Sequence, residues 1–87
     1  MLVVLIVYIA SIANNIKMNK PYLQKLAKRV KDIRTSKGMV QDDLASENVS
    51  RGMISLLETA RTDITVTKLK YIADSLGVTV KDLFDFE

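Results

Sequence analysis

From Pro21 onward the apolar residues recur every three to four positions. They fall in short blocks that open at a proline, an acid, a serine or a threonine and close at a glycine or an asparagine. That rhythm matches the turn of an α-helix and lacks the alternation of a half-buried strand. It predicts an all-α fold, a compact set of five short helices. Pro21 suits a first helical turn. Leu23, Leu26, Ala27, Val30 and Ile33 then form one stripe, and Gly38 stops the first helix, which covers about 22–36. Gln41, Asp42 and Asp43 open a second helix, because acids are favoured where the helix dipole is positive. Leu44 and Ala45 give it an inward face, and it ends near Glu47 and Asn48. Ser50 is a good N-cap for a third helix through Met53, Ile54 and Leu57. A loop over about 59–64 leads to Thr65, which caps a fourth helix with Val66, Leu69, Ile72, Ala73 and Leu76 inside and Gly77 at its end. Thr79 caps a last short helix holding Val80, Leu83 and Phe84, with Phe84 expected in the core and Phe86 either in the core or at a dimer contact.

Eighty-seven residues suffice for one domain with a modest core. The chain contains neither cysteine nor histidine. Disulfides, the common zinc sites and the common nucleophile–base pairs are therefore out of reach, and a reducing cytoplasm is the simplest setting. The acids are scattered or paired at Asp42–Asp43, without the glycine-centred loop of oxygen ligands that holds calcium. No catalytic constellation can be assembled, so the reading is a binding protein and not an enzyme, with no cofactor, no metal and no small-molecule ligand.

Residues 1–17 stand apart as an apolar N-terminal extension ahead of a domain covering 18–87. Met1 to Ala13 are apolar except for Ser11. The run is short of the roughly 20 residues that span a bilayer, which argues against a membrane segment. Ser11-Ile12-Ala13 resembles a signal cleavage site, yet no Lys or Arg precedes the apolar run. The favoured reading is that translation starts at Met18. A short membrane tether is the rival.

Charge is uneven. Lys17, Lys20, Lys25, Lys28, Arg29, Lys31, Arg34 and Lys37 face a single acid, Asp32, within 17–37, whereas 38–87 carries five bases and nine acids. The basic stretch suits a phosphate backbone, and equally suits a solvated helix face.

Two short helices joined by a turn, the second amphipathic with a small or basic outer face, form a helix-turn-helix. The major groove is about 12 Å wide and admits one such helix. In the third helix the outward set is Ser50, Arg51, Gly52, Met53, Ser55 and Leu56, with Ile54 and Leu57 inward. The run Gly38-Met39-Val40-Gln41-Asp42-Asp43-Leu44-Ala45, then Val49-Ser50-Arg51-Gly52-Met53-Ile54-Ser55 and Leu57-Glu58, resembles the lambda-repressor-like (XRE-type) helix-turn-helix family. The likeness continues through Leu69, Ile72-Ala73, Leu76-Gly77-Val78 and Asp82-Leu83-Phe84, covering roughly 22–85. Members include phage repressors, antitoxins and the controller proteins of restriction–modification systems.

The resemblance implies sequence-specific binding of an operator in double-stranded DNA by a homodimeric transcription regulator. It implies that Gln41 touches a phosphate and supports the recognition helix, and that Ser50 caps that helix and meets the backbone. It places Arg51 at a base, Gly52, Met53, Ser55 and Leu56 at the other groove-facing positions, and Arg61 on a phosphate. It also implies an ion pair between Arg34 and Glu58. Three departures accompany it. Only three residues separate Ala45 from Val49 where four are usual, so the second helix or its turn is tightened. Gly52 offers no side chain for reading, and Ala60 stands where glycine is common. Beside the DNA reading stands a protein-interaction module or antitoxin-like partner, with Met53 and Leu56 facing another protein instead of a thymine methyl.

Overall fold

The computed structural model describes residues 18–87. The anchor, signal and start-site readings of residues 1–17 therefore lie outside the described residues. Four α-helices follow one another: α1 (Lys20–Ser36), α2 (Arg51–Glu58), α3 (Val66–Leu76) and α4 (Val80–Leu83), with a 3-10 turn at Gln41–Leu44 between α1 and α2. No strand occurs among the described residues, so the all-α class holds. Among the same residues, no helix is long and apolar enough to cross a membrane.

The count of five helices needs one correction. The expected second helix is a single 3-10 turn of four residues. The Asp43 carboxylate accepts the Val40 amide at 2.8 Å, which starts the turn as expected. The backbone then leaves the helix at Ala45, which is extended. Ser46 N–H donates to the Val49 carbonyl at 2.8 Å, and the Asn48 amide donates to the Ser46 hydroxyl at 3.2 Å. This closed loop lets Leu44 and Val49 both reach the core, where they are 0% and 2% exposed. With so few residues available, a costly helical nucleus loses to side-chain burial.

The remaining helices start and stop at side chains chosen for the purpose. Asn19 accepts the Tyr22 amide, Ser50 the Met53 amide, Thr65 the Lys68 amide and Thr79 the Asp82 amide, each three residues along. These caps satisfy N–H groups that no helical carbonyl can reach. The ends of α1, α2 and α3 share another device. Met39 N–H reaches back to Arg34 O, Arg61 N–H to Leu56 O and Val78 N–H to Ala73 O, and the residue before each donor lies at positive φ. Two of those residues are Gly38 and Gly77; the third is Ala60, at φ 55°. This is the Schellman arrangement, which needs one left-handed residue.

One core gathers the inner faces of all elements: Leu26, Val30 and Ile33 from α1, Leu44 from the 3-10 turn, Ile54 and Leu57 from α2, Leu69, Ile72, Ala73 and Leu76 from α3, and Leu83 from α4. Leu23, Ala27 and Ala60 make a smaller cluster, with Met18 against it. The core place expected of Phe84 is not taken by it, and of the two readings of Phe86 the core one holds. Helix α4 ends at Leu83, which takes the buried position, and Phe84 is left 37% exposed. A turn in which Phe86 N–H donates to Phe84 O brings Phe86 back against the core. Phe84, Phe86 and Tyr22 group together, with ring centroids 5.4 to 6.3 Å apart.

The ends of the helices yield two expected outcomes. Gly77 is left-handed, so Gly77→Ala should cost about 1–2 kcal/mol in a denaturant melt. In Ala60→Gly, relief of the same strain is offset by a lost buried methyl and a looser unfolded chain, so the net change should stay within about 1 kcal/mol. The second outcome concerns pH. The Thr79 amide and then its hydroxyl hold the Asp82 carboxyl below its ordinary value, with help from Arg29 and Lys81. A group depressed in the folded state stabilises above its unfolded pKa and loses that contribution as pH falls through the folded value. Asp82→Asn should therefore lower the melting temperature at neutral pH and flatten its fall below about pH 4.

Candidate nucleic-acid interface

The residues singled out in the sequence surround α2. Ser50 is exposed and caps the helix at 3.1 Å to the Met53 amide. Arg51 and Gly52 occupy the first two helical positions and are exposed. Leu56, one turn later, is 41% exposed. Arg61 is exposed just beyond the helix end. The inner face is Ile54 and Leu57, 0% and 1% exposed, as the spacing required.

One member of the outward set is placed differently, and another is only partly open. Met53 is half-buried and packs against the main core, so it lies at the edge of the outward face and not on it. Ser55 is half-buried as well. With four-residue spacing, the open face of α2 consists of Arg51, Ser55 and Thr59 along one edge and Gly52 and Leu56 along the other. It carries one cation, small polar groups and one aliphatic side chain.

What aims that face is a buried ion pair. Arg34 Nε donates to Glu58 Oε2 at 2.7 Å and Nη2 to Oε1 at 2.8 Å. The third guanidinium nitrogen, Nη1, donates to the Met39 carbonyl at 2.8 Å. Both side chains are withdrawn from solvent, 10% and 2% exposed. The hydrogen bond to Glu58 raises the Arg34 pKa; burial opposes it, and the charges of Glu58 and Asp43 add to the rise. The pair implied by the family resemblance is thus present, and Met39 makes it a three-point fixture joining α1, α2 and the segment between them. Gln41 joins as well: its amide donates to Glu58 Oε1 at 3.3 Å, from a half-buried position. That bond ties the 3-10 turn to the C-terminal end of α2.

Glu58 is the only acid within α2, and Arg34 occupies it. Among the described residues Arg51 and Arg61 form no ion pair. Within α2 itself, Arg51 is thus the one charged side chain that no ion pair occupies.

The basic stretch of α1 is a different matter. Arg29 donates to the Asp82 carbonyl at 2.9 Å and Lys37 to the Leu76 carbonyl at 2.7 Å, while Lys20 donates to the Ala60 carbonyl. Lys28 pairs with Asp32 on the surface. Lys20, Arg29, Arg34 and Lys37 thus bond across the fold, Lys28 only within its own helix, and Lys25 and Lys31 project from exposed positions of α1 without such a bond among the described residues. The sequence did not signal these carbonyl contacts, because a lysine that closes a distant helix end looks like any surface lysine. Lys17 lies outside the described residues.

No cluster of three or more acids is placed to hold a metal ion among the described residues. No protein-family model matches the chain, and no curated protein matches it either.

Because Glu58 is almost fully buried, removing one partner strands the other. Glu58→Ala should cost about 3–5 kcal/mol in equilibrium unfolding. The double replacement Arg34→Met, Glu58→Leu should recover much of that loss, since two apolar side chains leave no charge to strand.

Proposed function

We propose that the chain binds double-stranded DNA sequence-specifically and serves as a transcription regulator, with α2 as the recognition helix. The observation that carries this reading is the division of α2 into two faces. Its inner face and its only acid are locked to α1, while Arg51 stands free at its start beside a residue without a side chain. A recognition helix enters the groove by its N-terminal residues. An arginine there reaches the two acceptors of guanine with two hydrogen bonds. In this reading Arg61, just past the helix end, and Ser50, at its start, hold the phosphates on either side; both are exposed.

The likeness to the lambda-repressor-like family supports the same reading, with one modification. The helix preceding the turn is here a single 3-10 turn, so the brace for α2 comes from Leu44, Gln41 and the Arg34–Glu58 pair. In this reading the functional unit is a homodimer on a roughly palindromic operator, with recognition helices about 34–36 Å apart. Regulation would then act through dimer level, partner proteins or operator occupancy.

A second reading is a protein-interaction or antitoxin-like module. Exposed Val40, Leu56 and Val66, at 59%, 41% and 77%, favour it. The two readings separate in one titration. The full-length protein should bind labelled duplex with an affinity that falls steeply and log-linearly with salt. Duplex binding that is absent, or insensitive to salt, would leave the protein-interaction reading. Arg51→Ala should weaken binding to sequences selected from a random pool by about 10–100-fold, with a much smaller loss on unselected DNA. Equal losses on both would reduce Arg51 to a phosphate contact.

A further inference from the structure

We infer that Lys20 is a positioning residue for Arg61: it fixes the peptide group from which Arg61 springs, and so holds that arginine where it meets a DNA phosphate, without touching DNA itself. The inference rests on the DNA reading above and adds to it a residue from outside the recognition helix and its turn.

Lys20, Leu23 and Ala27 follow one another at three- and four-residue spacing and share one face of α1. That face meets the chain where it leaves α2. Leu23 and Ala27 pack with Ala60, and Met18 lies against them. Apolar packing is non-directional, so it brings the segments together without fixing how a peptide plane is turned. Hydrogen bonds supply that direction. Ala60 is left-handed, at φ 55°, a conformation that an alanine keeps only where its surroundings hold it.

The peptide group between Ala60 and Arg61 is held at both ends. Its N–H donates to the Leu56 carbonyl at 2.9 Å, which closes α2. Its oxygen accepts from Lys20 Nζ, 40 residues away in the chain. Among the described residues no backbone N–H donates to that oxygen. Without Lys20 it would turn to water, and the left-handed turn would be tied from one side only. The Cα of Arg61 is the next atom after this plane, so the plane sets where its side chain starts and which way it leaves. Lys20 occupies an exposed position, so its bond adds little to overall stability, and its consequence is directional. A phosphate contact gains from a side chain whose root is already fixed, because less freedom is lost on binding.

The test is a double-mutant cycle on the full-length protein, read on duplexes selected from a random pool and on unselected duplex. Arg61→Ala should weaken binding about tenfold on both, and should make the salt dependence shallower by about one in slope. Lys20→Met should weaken binding about threefold on both, the share that comes from holding Arg61 in advance. In the Arg61→Ala background the same replacement should change neither affinity nor salt slope. Lys20→Arg, which can donate to the same oxygen, should bind as the wild type does. In the free protein, Lys20→Met should speed amide exchange at Arg61 several-fold, while core amides such as that of Ile72 exchange as before. Equal losses in both backgrounds would make Lys20 a phosphate contact in its own right and overturn the inference. A Lys20→Met variant with wild-type affinity, or with unchanged exchange at Arg61, would overturn it too, and each of these results leaves the DNA reading intact. A wild type that binds no duplex would remove the DNA reading, and the positioning role with it.

Discussion

Three hydrogen bonds from one guanidinium organise this domain. Arg34 sits in the last turn of α1 and holds Glu58 by two of them and the Met39 carbonyl by the third. The contacts join the C-terminal end of α1, the chain that leaves it and the far end of the helix proposed to read DNA. Two fork-to-fork hydrogen bonds define an orientation as well as a distance. Desolvation offsets much of the attraction in such a buried pair. Its directional consequence is plainer. With Glu58 at the C-terminal end of α2 tied down, and Ile54 and Leu57 buried, the helix has little freedom to rotate about its axis, so the face carrying Arg51 is set by residues that face away from it.

That constraint makes a short brace sufficient. Isolated helices below about 12–15 residues are marginal in water, and α2 has eight. It persists through its Ser50 cap, its Schellman end and its packing. The left-handed turn at Ala60 shows how closely the end is used. The backbone accepts strain there, while the Ala60 side chain packs with Leu23 and Ala27 and its carbonyl receives Lys20 from the start of α1. Both ends of α1 thus grip α2, one through Lys20 and the other through Arg34. A full preceding helix is not needed when the single turn at Gln41–Leu44 delivers one buried leucine and one glutamine to the same assembly.

Much of this was legible beforehand because caps and stripes are local signals. Asn19 aside, each helix start read from Ser50, Thr65 or Thr79 appears as a hydrogen bond to the amide three residues on. Gly38 and Gly77 end helices at positive φ, as a glycine after a stripe suggests. What escaped was decided by competition between distant groups. The shortened second helix follows from Leu44 and Val49 both claiming the core across a three-residue gap. The exposure of Phe84 follows from Leu83 filling the last buried site, after which the chain turns back and brings Phe86 in. Met53 read as outward by spacing, yet the core takes part of its long, flexible side chain, which is what methionine does at an irregular edge.

The charge pattern carries the same lesson into function. Eight cations within 17–37 invite an electrostatic account of nucleic-acid binding, but Lys20, Arg29, Arg34 and Lys37 donate to carbonyls or a carboxylate inside the domain. A cation with its donors engaged and its freedom lost is a poor partner for a mobile phosphate. The cations left outside such bonds are fewer: Arg51 and Arg61 stand at the two ends of α2, a helix whose own acid has been withdrawn, and form no ion pair among the described residues. Net charge of +3 would not have distinguished these arrangements. The accounting has to be done residue by residue, asking which charges the fold has already consumed. By that measure the outward face of α2, and not the basic flank of α1, is where this domain has left charge and shape available to something else.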